Sequence, residues 1–169
     1  MIKPWNSNEK TPIILHVSQA KQNSSHCVWN IWNIWKNFQD ADELGKARLN
    51  AMENFLLDND SGKVEAGYLC KSLPSLEFID DQFDLCVCSH LLFLYSEQLS
   101  LDFHVASIHE LLRIAPTVQI FPLLKIDGKP SPYIELVMEK LSSKGCSVKV
   151  QSVTYEFQKG RNQMLRVSR

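Results

Sequence analysis

The sequence predicts an α/β domain built on an open, largely parallel sheet that closes with an antiparallel β-hairpin. Three observations lead there. Phe83 to Tyr95 (FDLCVCSHLLFLY) is the least polar stretch of the chain, and its first half reads as a strand buried on both faces. A helical pattern, an apolar strand and a second helical pattern then follow in turn. The final run, SVKVQSVTYEF–QKGRN–QMLRVSR, holds two β-rich segments around a loop too short for a crossover, so these strands must be antiparallel neighbours.

The elements take shape in order along the chain. Within the first forty residues only Pro12 to Val17 (PIILHV) reads as a strand, and QAKQNSSH after it is polar. VWNIWNIWKNF carries tryptophans at 29, 32 and 35, a three-residue period that falls on one side of a packed helix. Stacking on a nucleobase is the weaker reading of these rings, because no basic groove accompanies them. Residues 1–39 therefore form an atypical N-terminal segment, and residues 40–169 form the α/β domain, one domain overall.

Asp40 with Glu43 resembles a capping box, and Leu44, Ala47, Ala51 and Phe55 share one helical face. Asp58-Asn59-Asp60-Ser61-Gly62 is expected to stop that helix. Gly67-Tyr68-Leu69-Cys70 reads as a short strand, and KSLPSLEFIDDQ as a loop leading to the Phe83–Ser89 strand. Ser100 is the expected N-cap of a helix that carries Leu101, Val105, Ile108 and Leu112 on one face and ends at Pro116. Thr117 to Leu124 is the next strand. Ser131-Pro132 starts a helix that Gly145 stops.

Composition narrows the classes of function. The chain has 169 residues, enough for one domain, with 44% hydrophobic and 22% charged residues, the balance of an ordinary soluble protein. A formal net charge of −1 gives no broad electrostatic case for nucleic acid. The one basic cluster, Lys159, Arg161, Arg166 and Arg169, reads as a solvated chain end. No signal-peptide pattern and no membrane-length apolar run is visible. The five cysteines (27, 70, 86, 88 and 146) have no framework spacing, which suits free thiols in the cytoplasm.

Candidate chemistry gathers at the end of the apolar strand. Cys86, Cys88 and His90 alternate onto one face, but the sequence has no C-x-x-C or H-x-x-x-H pair, so no metal site is expected. Residues two apart on one strand need a turn to meet, which disfavours Cys88 and His90 as nucleophile and base. Ser89 lacks the G-x-S-x-G elbow. The two cysteines read as small core residues, and no catalytic residue is assigned.

An F-D-L strand, a helix ending ELLRIA, another strand and helix, and a terminal hairpin together resemble the second half of a class I S-adenosylmethionine-dependent methyltransferase. FDLCVCSHLLFLYSEQLSLDFH, FPLL, SPY and YEFQKGRNQMLR are similar to one bacterial subgroup. LPSLEFIDDQFD resembles the family's loop-plus-strand, with Asp81, Phe83 and Asp84 at matching places. The resemblance covers roughly the last two thirds of the chain. It implies a Rossmann-like sheet ordered 3-2-1-4-5-7-6, with helices on both faces and the last strand antiparallel.

The resemblance also implies S-adenosylmethionine as cofactor and a methyl acceptor as partner. It places Cys88 and Ser89 at the cofactor, His90 on the substrate side, and Ser72 and Leu73 in the loop that reaches the adenine. In the family a glycine loop follows strand 1 and brings the backbone close to the cofactor, and here the six glycines nowhere form G-x-G. Gly62 and Gly67 stand as G-x-x-x-x-G, but Tyr68-Leu69 follows where a P-loop needs Lys and Ser/Thr. The expectation is a truncated or degenerate methyltransferase-like protein with weak or no activity, or a non-catalytic scaffold that binds a partner. In the family, strand 1 covers the edge of the strand matched by FDLCVCS. Here either PIILHV lies parallel beside that strand, or two chains pair along it as a homodimer.

Overall fold

The computed structural model describes residues 13–16, 39–64, 69, 71–154 and 161–169. The tryptophan repeat and most of the Gly67–Cys70 stretch lie outside them. The chain divides into two compact units, one of Met1–Lys21 with Leu73–Arg169 and one of Gln22–Ser72.

The Gln22–Ser72 unit holds α1 (Ala41–Val64). Its start is capped as the sequence predicts: Glu43 N–H donates to Asp40 Oδ1 at 2.8 Å, and the Glu43 carboxylate accepts from Gln39 N–H at 2.6 Å. The helix does not stop at Asp58, however, but runs on through Gly62. Asn, Asp, Ser and Gly each cost a helix less than about 1 kcal/mol relative to Ala. None of them removes a backbone donor as Pro would, so the hydrogen-bond ladder continues.

The other unit is built on a five-stranded sheet in the order β1-β2-β3-β5-β4, with β1 (Ile13–His16), β2 (Cys86–Ser89), β3 (Thr117–Phe121), β4 (Ser147–Ser152) and β5 (Gln163–Ser168). Within PIILHV, Ile13–His16 pairs parallel beside Cys86–Ser89, on the side expected, Ile13 opposite Cys86 and His16 opposite Ser89, while Pro12 and Val17 lie outside the described residues. With β1 there, the outer edge of β2 is not open to a second chain. β2 and β3 are parallel, while β5 runs antiparallel to both β3 and β4.

Helices α2 (Leu101–Ile114) and α3 (Ile134–Ser142) connect the strands. Cys86, Cys88, Val118, Ile120, Leu165 and Val167 form one continuous buried row across β2, β3 and β5. Ile108, Leu111, Val137 and Leu141 complete the same core, so α2 and α3 share one face of the sheet. Among the described residues the expected helical cover is thus met on one face. β2 itself alternates, with Val87 and Ser89 half-buried, instead of being buried on both sides.

The strands are shorter than the apolar runs suggest. Phe83 N–H bonds to Ile114 O at 2.9 Å and Asp81 N–H to Arg113 O at 3.0 Å, so this stretch pairs with the α2–β3 junction. β3 ends at Phe121 because Pro122 has no N–H to offer a ladder. Ser131-Pro132-Tyr133 forms a turn before α3, with Tyr133 N–H donating to Ser131 Oγ at 3.2 Å. Gly145 sits at φ 86°, the left-handed conformation that ends the α3 segment.

Arg113 locks the loop that leads into β2. Its guanidinium donates to the carbonyls of Leu76 and Phe78 at 2.9 and 2.8 Å and pairs with Asp80 and Glu110 at 2.7 and 2.8 Å. Glu110 in turn accepts from Leu76 N–H at 2.6 Å. At the C-terminus Arg169 pairs with Asp81, so this residue is not merely a solvated tail.

Candidate functional site at the carboxyl edge of the sheet

Parallel strands end together at the edge where open α/β sheets place ligands. In register, His16, Ser89 and Phe121 are the last residues of β1, β2 and β3. Immediately beyond, His90 adopts φ 56°, a left-handed conformation for a non-glycine residue. Such a conformation costs on the order of 1–3 kcal/mol and persists only where neighbours impose it. The neighbour here is Phe121, whose carbonyl accepts from His90 N–H at 2.7 Å. The His90 ring meets the Phe121 ring edge-on at 6.0 Å.

The turn brings two side chains together. Ser89 Oγ lies 2.6 Å from His90 Nδ1. In one tautomer the hydroxyl donates to the ring, and in the other Nδ1–H donates to the hydroxyl. Both residues are half-buried, so the pair presents donor and acceptor groups at the carboxyl end of β2.

Cys88 is placed differently from Ser89. It is fully buried and lies on the face packed against the helices, while Ser89 belongs to the other face. Burial pushes its thiol up to about 11, against a smaller opposing effect of the Leu92 backbone. The Cys86 thiol is pushed up to about 12, by burial first and then by Cys88 beside it. Both thiols are therefore protonated at neutral pH and unsuited to nucleophilic attack. They are core residues, as the sequence suggests.

Leu73 is half-buried and packs against the core. Ser72 is exposed and belongs to the Gln22–Ser72 unit. The described residues contain no group of three or more His, Cys, Asp or Glu side chains that could hold a metal ion. No described helix is long and apolar enough to cross a membrane.

Sequence reasoning missed the part played by Phe121. The signal was available in principle: once TVQIF is aligned as a parallel neighbour of CVCS, its last residue falls level with Ser89. It missed the turn at His90 because histidine seldom adopts positive φ and nothing local marks it.

The chain is 30% identical over 132 residues, 78% of its length, to an uncharacterized protein of Methanocaldococcus jannaschii. The match spans 57% of that relative, so the chain covers less than two thirds of it. No protein-family model matches the chain, and no solved structure does.

Proposed function

We propose that this chain carries the substrate-side part of an S-adenosylmethionine-dependent methyltransferase-like fold, with Ser89 and His90 at the edge that faces the methyl acceptor. The observation that carries this reading is the strand order. β1-β2-β3-β5-β4, with β5 alone reversed, coincides with the 1-4-5-7-6 portion of the order that the family resemblance implies.

The residues at the sheet edge fit one end of the cofactor and not the other. A serine hydroxyl, the backbone at the His90 turn and the half-buried Phe121 ring suit an amino acid moiety next to a sulfonium. No acidic residue ends β1, β2 or β3, so a ribose diol would find no carboxylate there. The cofactor would supply the methyl group. The protein's contribution is to hold the acceptor in line with it and to exclude water. His90 orients the acceptor through a hydrogen bond, and Ser89 meets the cofactor.

Because no G-x-G brings backbone close to the cofactor, its affinity for this chain is weak. That same feature favours a second reading, a non-catalytic module of this fold that binds a partner. Titration of the full chain with S-adenosylmethionine, followed by hydrogen exchange, separates the two. Weak binding that protects Leu73, Cys88 and Ser89 supports the methyltransferase reading. No protection at any concentration favours the partner-binding module. Protection confined to β4 and β5 overturns the assignment of the edge.

A further inference from the structure

We infer that two copies of this chain join edge to edge along β4, antiparallel about a two-fold axis at Val150, into one continuous sheet. β4 ends the sheet on its far side, and among the described residues it pairs with β5 alone. Its register with β5 is unbroken from Ser147 to Ser152, and the strand holds neither a bulge nor a proline. Those are devices that ordinarily blunt an edge.

Two hydrogen bonds show which backbone groups β4 leaves open. Arg169 N–H donates to Pro116 O at 3.4 Å, so Thr117 and Ser168 are a pair not bonded to each other. By alternation Val167 and Leu165 bond to β3, and Ser168, Arg166 and Met164 turn their peptide groups to Ser147, Lys149 and Gln151 of β4. Val153 N–H, donating to Asn162 O at 2.8 Å, keeps the same phase at the other end of the ladder. The N–H and C=O groups of Val148, Val150 and Ser152 therefore point out of the sheet.

The strand matches itself in one register. Opposite residues of antiparallel strands share a face, so a two-fold axis must fall on a residue. With the axis at Val150, that residue meets its own counterpart and Val148 meets Ser152 of the second copy. Every outward group of these three residues is then paired. With the axis at Lys149, Ser152 would meet Cys146, whose N–H is already bonded to Leu141 O at 3.2 Å. The two lysines would also stand directly opposite each other, which is destabilising.

Side chains agree with the backbone. Val150 lies on the face that α2 and α3 cover and is 39% exposed, so pairing with its counterpart buries apolar surface. Lys149 lies on the other face with Arg166 directly opposite on β5, and both are exposed. A lysine in an edge strand ordinarily keeps partners away. This one repels only the wrong register, because in the right one it faces Gln151 of the second copy, whose side-chain oxygen is an acceptor. An extended peptide could use the same edge, but this self-match commits it to a second copy. The inference uses neither Ser89 nor His90 and stands independently of the methyltransferase reading.

Sedimentation equilibrium of the full chain tests it. A ladder between two short strands is a small interface, so a dimer is expected to dominate at about 100 µM and to dissociate on dilution. Val150→Pro removes an N–H that faces outward and leaves the β5 ladder its donors, so it should give a folded monomer. Val150→Cys should cross-link under mild oxidation beyond the parent chain, since bonded opposite residues lie about 5.5 Å apart at Cα. Lys149→Cys should not, because in this register the two copies of residue 149 are too far apart to bridge. A monomer at about 100 µM overturns the proposal. So does a Val150→Pro variant that stays dimeric, or cross-linking through residue 149 as efficient as through residue 150.

Discussion

The hydroxyls of Ser96 and Ser131 lie 2.5 Å apart, both buried, and join the turn after β2 to the start of α3. Their partners set the direction of the bond. Ser96 Oγ donates to Phe93 O at 2.7 Å, while Ser131 Oγ accepts from Tyr133 N–H at 3.2 Å. Ser131 must therefore be the donor to Ser96. Ser131→Ala removes that donor and the acceptor for Tyr133 N–H, at an expected cost of about 1–3 kcal/mol in urea unfolding. The double variant Ser96→Ala/Ser131→Ala should lose less than the sum of the two single changes, because neither hydroxyl is then left unpaired.

His104 makes stability depend on pH. It is fully buried, its ring 5.4 Å from that of Phe93 and 5.2 Å from that of Tyr133. Nδ1 lies 2.7 Å from Ser100 O, so this nitrogen carries the proton and donates, and buried Nε2 makes no bond of ordinary geometry. Burial lowers its pKa, with the Ser100 and Leu92 backbones opposing the shift in part. A histidine whose folded pKa is depressed binds fewer protons folded than unfolded. Its contribution is complete above the unfolded value of about 6.5 and is lost as pH falls below that value toward the folded one. His109 is shifted the same way, by burial and then by Lys144, and adds to the trend. Melting curves between about pH 8 and pH 5 should fall more steeply for the parent than for His104→Leu. Equal slopes would remove His104 from this account.

Arg113→Lys should loosen the loop into β2 although the charge is kept. A guanidinium serves two carbonyls and two carboxylates at once, and one ammonium with three donors cannot reproduce that fork. Glu110, whose pKa is lowered chiefly by its hydrogen bond from Arg113, should titrate nearer its ordinary range in the variant. Hydrogen exchange at Leu76, Asp81 and Phe83 should accelerate well before that of β3. Unchanged exchange at these amides would show the clamp to be dispensable.

Deleting residues 1–18 should make the protein aggregate. The deletion removes β1, and β2 then becomes an uncharged apolar edge with unpaired backbone groups. Light scattering and gel filtration report the outcome. A monomeric deletion variant with the parent's melting curve would mean that the β1–β2 ladder contributes nothing.

Much of the sheet was legible because its signals are local and redundant. The Ser100 cap, which accepts from Phe103 N–H at 3.2 Å, and the helical spacing of Ile108 and Leu112 act within single turns. The antiparallel β4–β5 pairing follows from loop length alone. Tertiary partners set what was misread. Phe83 looks like a ladder residue until its N–H is seen to bond with Ile114 O, and α1 passes five helix-poor residues with no proline to stop it. At the site, the sequence brought attention to Ser89 and His90. It could not give the hydrogen bond between them, because that depends on a backbone turn imposed by Phe121, some thirty residues later (Phe121 O accepting from His90 N–H). Cys88 and Ser89 looked like one site in the chain and face opposite sides of the strand.

The order in which the ribosome delivers the strands differs from the order in which the sheet uses them. β4 is synthesised before β5, yet its ladder is with β5 alone, and β5 is also what joins it to β3. Until residues 163–168 have left the exit tunnel, Val118 and Ile120 of β3 lack Val167 and Leu165 beside them. The nascent chain must carry an open β3 edge and an unpartnered β4 through that interval. Pairings β1–β2 and β2–β3 can form before β5 emerges, but the second half of the core waits for β5 to be inserted between two strands that are already made.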